Sequence, residues 1–302
     1  MTGPPARRRA LYRLALLTAA ATFALLCMGG LVTSLDAGLV FLDWPLSEGS
    51  LNPEGWTTDL DRAAEHGHRI LGAAVGLGAV ALVVCSVRWR ARRPVRRLAW
   101  AVLGAVCLQG LLGGLRVTEQ SAGLALLHGC LAQLVFCLTV AAVYVASGDA
   151  RPAPPPAGAA DARTLLAAAS SAVGVVFLQI VLGAQLRHSG GPVFAHILGA
   201  VIALVAVAGT LVVALARHGQ DPVLARGAAE LAGIFVLQLV LGVAVYVVLW
   251  RGGGRPYTPA RVAMPTLHLA LGALVLARAL LLALHAGRRV VRRGVRAAEA
   301  VS

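Results

Sequence analysis

Apolar residues in this chain gather into long runs, and the polar positions between them form short stretches of distinct composition. Runs are predicted over residues 14–35, 65–87, 98–115, 122–147, 164–186, 193–216, 228–250 and 262–284. A helix rises about 1.5 Å per residue, so roughly 20 residues cross a hydrocarbon layer about 30 Å thick, and each run is near that length. Each even-numbered run opens with a histidine inside or just before its first turns: His68, His128, His196 and His268.

The two halves of the pattern repeat. His68-Arg69-Ile70-Leu71-Gly72-Ala73 matches Ala195-His196-Ile197-Leu198-Gly199-Ala200, and Leu127-His128-Gly129 matches Leu267-His268-Leu269. A Gln-x-x-x-Gly element recurs as Gln109 to Gly113, Gln179 to Gly183 and Gln238 to Gly242, a spacing that sets a small residue one turn from an amide and permits close helix contact. Between the halves lies a stretch with Pro152, Pro154, Pro155 and Pro156, an extended connection. The expected fold is an all-α integral membrane protein whose eight transmembrane helices form two pseudo-symmetric four-helix bundles, residues 1–147 and 164–302, joined by a cytoplasmic linker at 148–163.

Composition agrees. With 58% hydrophobic and 13% charged residues, a soluble chain of 302 residues could not solvate itself, whereas eight spans use most of that apolar content. The net charge of +14 comes from arginine alone, for the chain has no lysine. Nineteen of the 27 basic residues fall in the head, the 88–97 loop, the central linker, the sixth-to-seventh loop and the tail, which places both termini in the cytoplasm. The acidic stretch 36–64 then faces outward, while Arg251, Arg255 and Arg261 stand out as a basic outer loop. No aromatic-interleaved basic domain supports a nucleic-acid partner, so the expected surroundings are lipid. Arg7-Arg8-Arg9 before an apolar run imitates a signal peptide, but the run is too long and lacks a small-residue cleavage site, so a retained first helix is expected. Cys27, Cys85, Cys107, Cys130 and Cys137 all fall inside apolar runs without C-x-x-C spacing, a pattern of packing thiols rather than of disulfides or zinc.

With both termini inside, the four repeated histidines share the outer leaflet; His128, some six residues into its helix, lies roughly 9 Å deep. One imidazole in a span is commonly satisfied by a neighbouring carbonyl or hydroxyl, but four at equivalent places in a duplicated bundle point to metal. Histidines on facing helices hold a haem through both axial positions, which pairs His68 with His128 and His196 with His268. His66, His188, His218 and His285 are expected to be solvated or interfacial. Glu65 shares a face with His68, either for proton work or as a cap of its own helix. Arg69, Arg116 and the 251–261 arginines are candidates for haem propionates or for lipid headgroups.

Taken together, Asp43-Trp44-Pro45-Leu46, Glu65-His66-Gly67-His68-Arg69-Ile70-Leu71-Gly72, Gly113-Gly114-Leu115-Arg116-Val117-Thr118, Leu127-His128-Gly129, Arg187-His188-Ser189-Gly190, His196 and His268 resemble the haem A synthases, the CtaA/COX15 family of cytochrome oxidase assembly. The resemblance covers nearly all eight spans. It implies oxidation of the C8 methyl of haem O to the formyl of haem A through an alcohol, with oxygen from water. It implies that His68 and His128 hold the haem being oxidised, that Glu65 acts beside it, and that His196 and His268 hold a haem b that passes electrons on to an acceptor it does not name. It further implies a cell-membrane location, haem O synthase and oxidase assembly proteins as partners, and leaves a homo-oligomer open. Many bacterial relatives carry a cysteine pair in the first outer loop, and residues 36–64 have none. From the residues alone, a membrane cytochrome b that relays electrons and a haem carrier remain alternatives. Glu65 discriminates, since neither alternative needs a carboxylate against one haem.

Overall fold

The computed structural model describes residues 5–147, 159–251 and 258–299. They form eight helices: α1 (Pro5–Ser34), α2 (Leu60–Arg88), α3 (Arg93–Thr118), α4 (Ala122–Ala146), α5 (Ala159–Ser189), α6 (Val193–His218), α7 (Pro222–Arg251) and α8 (Pro259–Glu299). All eight are long and apolar enough to cross a membrane, and the chain is a multi-pass membrane protein. The proline-rich centre of the expected linker and Arg255 lie outside the described residues, as do the side chains of Arg251, Arg292, Arg293 and Arg296.

Most helices outrun their apolar stretches. α1 begins at Pro5 rather than at residue 14, α3 at Arg93 rather than at 98, and α8 continues to Glu299. Hydropathy marks the part of a helix that needs lipid, whereas arginine is a good helix former and proline is tolerated in the first turn, so the basic flanks stay helical. Arg116, just past the predicted 98–115 run, therefore belongs to the last turn of α3, and His188, just past the 164–186 run, to the last turn of α5.

The chain divides into two compact units, Met1–Asp149 with Leu241–Ala270 and Ala150–Val240 with Leu271–Ser302. In the first, α1 packs on α2 and α4, α2 on α3, and α3 on α4, closing a ring of four helices. Its contacts are built from small residues, because lipid offers no hydrophobic penalty to drive helices together and close backbone approach must supply the attraction. α1 buries Leu11, Ala15, Thr18, Ala19, Thr22 and Leu26 along one stripe, and a Cβ on Gly78 of α2 would stand 2.9 Å from the Thr18 hydroxyl. That hydroxyl donates to Leu14 O at 2.9 Å, so burying it costs no lost hydrogen bond. Ala79, Val102 and Ala142 form one layer of the bundle, and Ala15, Leu82, Val83 and Ala99 another. The end of α1 also meets the 241–270 stretch, where Ser34 and Thr266 hydroxyls lie 2.8 Å apart.

In the second unit α5 packs on α6, and Thr210 donates to Ala168 O at 3.2 Å. Its buried charge is paired. Asp221, before α7, accepts from Arg289 Nε at 2.6 Å and Nη2 at 2.9 Å and also caps the first turn of α7 through Val223 N. A fork-to-fork pair of this kind satisfies the donors that burial would otherwise strand. His218, expected to be solvated or interfacial at the end of α6, is buried instead, because this clasp folds the α6–α7 turn against the helices.

Candidate functional site

α2 begins where Asp59 accepts Arg62 N at 2.8 Å, and its first three turns carry Arg62, Glu65, His66, His68 and Arg69. Residues four apart stack on one face, so Glu65 and Arg69 form one side and Arg62 and His66 another. Both sides are covered by a strap, the irregular stretch between α1 and α2.

The strap is tied down residue by residue. Glu65 Oε2 accepts Val40 N at 2.8 Å and Phe41 N at 3.1 Å, and Oε1 accepts Arg69 Nη2 at 2.6 Å. Arg69 then donates to the carbonyls of Phe41 (2.9 Å), Asp43 (2.7 Å) and Leu46. Arg62 grips Glu48 through both amino groups at 2.8 and 2.7 Å and lies 4.8 Å over the Phe41 ring. From α3, Arg116 Nη2 donates to Gly38 O at 2.9 Å, and the Trp44 indole fills the space a Cβ on Gly114 would need. Glu65 is thus 3% exposed, with its carboxylate bonded to the strap rather than capping its own helix.

His66 is another correction. Two residues along a helix turn the side chain roughly 200° away, so it leaves the face of His68 as its spacing requires. The face it reaches is covered, however: His66 is 4% exposed, its Nδ1 lies 2.9 Å from Ser47 Oγ, and its ring meets Trp56 and Phe41 edge-on at 4.9 and 6.0 Å.

At the outer edge of the strap, Asp43 accepts Gly49 N at 2.8 Å and Glu48 N at 2.9 Å. Chiefly the Gly49 amide, with that of Glu48, holds the Asp43 carboxyl below its ordinary value of 3.8. Because the folded pKa is depressed, the carboxylate's contribution is complete above the unfolded value and is lost as pH falls through the folded one. The amides of Glu48 and Gly49 should therefore stay protected from hydrogen exchange on mild acidification and open only below 3.8, whereas Asp43→Ala should open them at neutral pH. Wild-type protection lost well above that value would contradict this role for Asp43.

One turn beyond Glu65, the rings of His68 on α2 and His128 on α4 meet edge-on, with centroids 6.4 Å apart and planes 66° apart. A metal–imidazole bond is about 2 Å and the ring radius about 1.1 Å, so two rings gripping one metal have centroids roughly 6 Å apart. The pair fits. The His68 ring is buried against the backbone of Leu25, which supplies it a hydrogen bond from α1. Among the described residues no three His, Cys, Asp or Glu side chains converge, but a porphyrin brings four nitrogens and asks only for an axial pair.

Each of the four repeated histidines is seated on a glycine of a neighbouring helix. A Cβ would stand 3.1 Å from His68 Cε1 at Gly29, 2.9 Å from His128 Cε1 at Gly113, 3.0 Å from His196 Cε1 at Gly183 and 3.0 Å from His268 Cε1 at Gly242. These seats were not foreseen beyond the small residue of each Gln-x-x-x-Gly; Gly29 lacked even that signal. His196 belongs to the second unit and His268 to the first.

The chain resembles known proteins along much of its length. Residues 59–193 match the family model COX15-CtaA, described as cytochrome oxidase assembly protein. A heme A synthase of Symbiobacterium thermophilum is 31% identical over 270 residues, covering 78% of this chain and 85% of that protein. Heme A synthases of Maricaulis maris (33% identical, 48% of this chain and 45% of the relative) and Rhodopseudomonas palustris strain BisA53 (34%, 40% and 36%) match over shorter stretches.

Proposed function

Because the chain belongs to the haem A synthase family, with most of its length aligned to a full relative, we propose the following account of how its own residues serve that reaction. The protein is an oxidoreductase that converts the methyl group of haem O to the formyl group of haem A for cytochrome oxidase assembly. Haem O is substrate and haem A product. Going from methyl to alcohol to formyl takes oxygen from water and withdraws an electron pair and protons at each oxidation level, so the site must hold a porphyrin, exclude bulk water and give protons an exit.

We assign His68 and His128 to the iron of the substrate haem, on the ground of their 6.4 Å ring separation. Their glycine seats let the rings stand between helices, and the strap bonded to Glu65 would help keep bulk water from a bound haem. Glu65, three residues before His68, is the carboxylate we assign to proton removal. Arg116 and Arg69 are the cations assigned to the propionates; for Arg69 this asks a share of a guanidinium already holding three strap carbonyls. His196 and His268 are assigned by the internal repeat to a resident haem b, which when bound would carry electrons away from the substrate. Residues 1–147 and 164–302 are then the substrate and electron-exit halves. Both haems would lie in the outer leaflet of the cell membrane, with both termini cytoplasmic.

The observation that carries this reading is the 6.4 Å separation of the His68 and His128 rings within a chain of this family. Extracting the pigment from purified protein and weighing its haems tests it: haem B together with haem O or haem A is expected. Haem B alone would mean an electron relay. Replacing His196 or His268 by alanine should erase a low-spin b-type spectrum and leave haem O bound; loss of haem O instead would reverse the assignment of the halves.

A further inference from the structure

α2 is flanked by two seams of unlike tightness. Toward α1 it is closed: a Cβ on Gly78 would stand 2.9 Å from the Thr18 hydroxyl, and one on Gly29 would stand 3.1 Å from His68 Cε1. Residues advance about 100° per step around a helix, so Gly72 and Gly76 stand roughly 40° and 80° from His68 on the side away from Gly78, which is the side of α3. A Cβ on either would meet nothing within 4 Å. The facing bank is similar. Gln109 of α3 turns to α4, where its Nε2 donates to His128 O at 2.9 Å, and Gly110, turned about 100° further toward α2, likewise meets nothing within 4 Å. The seam therefore stays open from just inside the His68–His128 pair to the layer of Ala79, Val102 and Ala142, where Leu103 and Val106 pack in. Along α2 that is roughly 16 Å. At the same steps beyond His196, α6 carries Ala200 and Leu204.

The amide beside this space is the group that calls for a ligand. Gln109 is 9% exposed, and its Oε1 is buried with no hydrogen-bond partner among the described residues, next to the backbone of His128 at the head of the seam. An orphaned acceptor there would be relieved by a hydroxyl donor. Haem O has one. Where haem B carries a vinyl group, haem O carries a hydroxyethylfarnesyl chain, on the porphyrin edge opposite the propionates. With the propionates toward Arg69 and Arg116 at the outer end of the bundle, that edge faces inward, the hydroxyl first and the isoprenoid chain behind it.

We infer that the α2–α3 seam is the subsite for the isoprenoid chain of haem O, with Gly72, Gly76 and Gly110 leaving room for the chain and Gln109 Oε1 accepting its hydroxyl. The inference rests on the bis-histidine reading above and deepens it. Moving the chain from lipid into the seam brings no hydrophobic gain, so the glycines decide admission and the amide decides preference. Haem B would leave the Gln109 acceptor unpaired, which is how a site built for a hydroxyl rejects the analogue that lacks it.

The test counts bound haems rather than turnover. Protein is purified from cells that also make haem O, and its haems are extracted, identified by mass and counted per chain. Gly72→Leu and Gly110→Leu fill the seam from opposite banks, and each should lower haem O plus haem A about tenfold while haem B does not fall. Gly104→Leu adds the same side chain at an exposed position of α3 with nothing within 4 Å, and should match wild type. Gln109→Met keeps the volume and removes the acceptor, so haem B per chain should rise as haem O and haem A fall. Wild-type haem O and haem A in both seam variants overturns the subsite. Loss of both kinds of haem in them, but not in Gly104→Leu, makes the glycines packing residues and overturns it too. A fall in haem O without a rise in haem B in Gln109→Met reduces Gln109 to a tie for His128 and overturns its part. Should one seam variant fail to assemble, the one on the opposite bank decides. Wild-type protein that carries haem B only would defeat the underlying reading instead, and is told apart before any variant is made.

Discussion

Glu65→Gln protein is expected to keep its haem but to stall, accumulating haem O or its alcohol in place of haem A when extracted pigment is weighed. The change keeps size and removes both the charge and the ability to take up a proton, so a carboxylate that serves the oxidation cannot be replaced by an amide. The same carboxylate bonds Val40 N, Phe41 N and Arg69, and an amide turned toward Arg69 would present N–H to N–H. A stalled variant could therefore reflect a loosened strap. Arg69→Leu separates the two, because it frees three strap carbonyls and leaves the carboxyl in place. Haem A output that survives in Arg69→Leu but not in Glu65→Gln assigns the proton work to Glu65. Equal losses with haem O still bound would make Glu65 a strap anchor, equal losses with haem O unbound would report the Arg69 propionate contact, and normal output from Glu65→Gln would remove Glu65 from the chemistry.

His128→Ala is expected to abolish haem A formation, a larger effect than the roughly 10–100-fold typical of losing an outer partner of a ligand. The b-type low-spin spectrum should persist, since that signal is assigned to His196 and His268. Gly113→Ala is a graded form of the same experiment. Its new Cβ would stand 2.9 Å from His128 Cε1, so the ring must swing aside while remaining in the protein. Haem O retention should then fall without loss of the fold. Identical spectra from all four histidine variants would argue against distinct roles.

The eight spans were legible because lipid imposes a simple rule, a sufficient apolar length, and Leu, Val and Ala runs meet it. Their ends were less legible, since arginine-rich flanks such as residues 7–9 and 93–97 continue a helix without adding hydropathy. The pairing of His68 with His128 followed from their equivalent places in the repeat. The surroundings of His66 did not, because helical spacing gives the direction of a side chain and says nothing of what an irregular stretch will lay across it. The strap itself carries no period, and its anchors Glu65 and Arg69 read from sequence as site chemistry rather than as ties to backbone groups some 25 residues away. Gly29 shows the same limit, since a glycine in an apolar run carries no signal until the ring it faces is known.

The five cysteines of the chain are free and lie within α1 to α4, so the strap is closed by hydrogen bonds, ion pairs, aromatic contacts and the apolar packing of Leu35 and Ala37 on Ala64, with no disulfide. Its closure needs no oxidant to form and yields to no reductant. A chain built this way reaches its working shape without a thiol-oxidising helper, and swings in external redox poise that would open a sulfur-bridged loop pass it by.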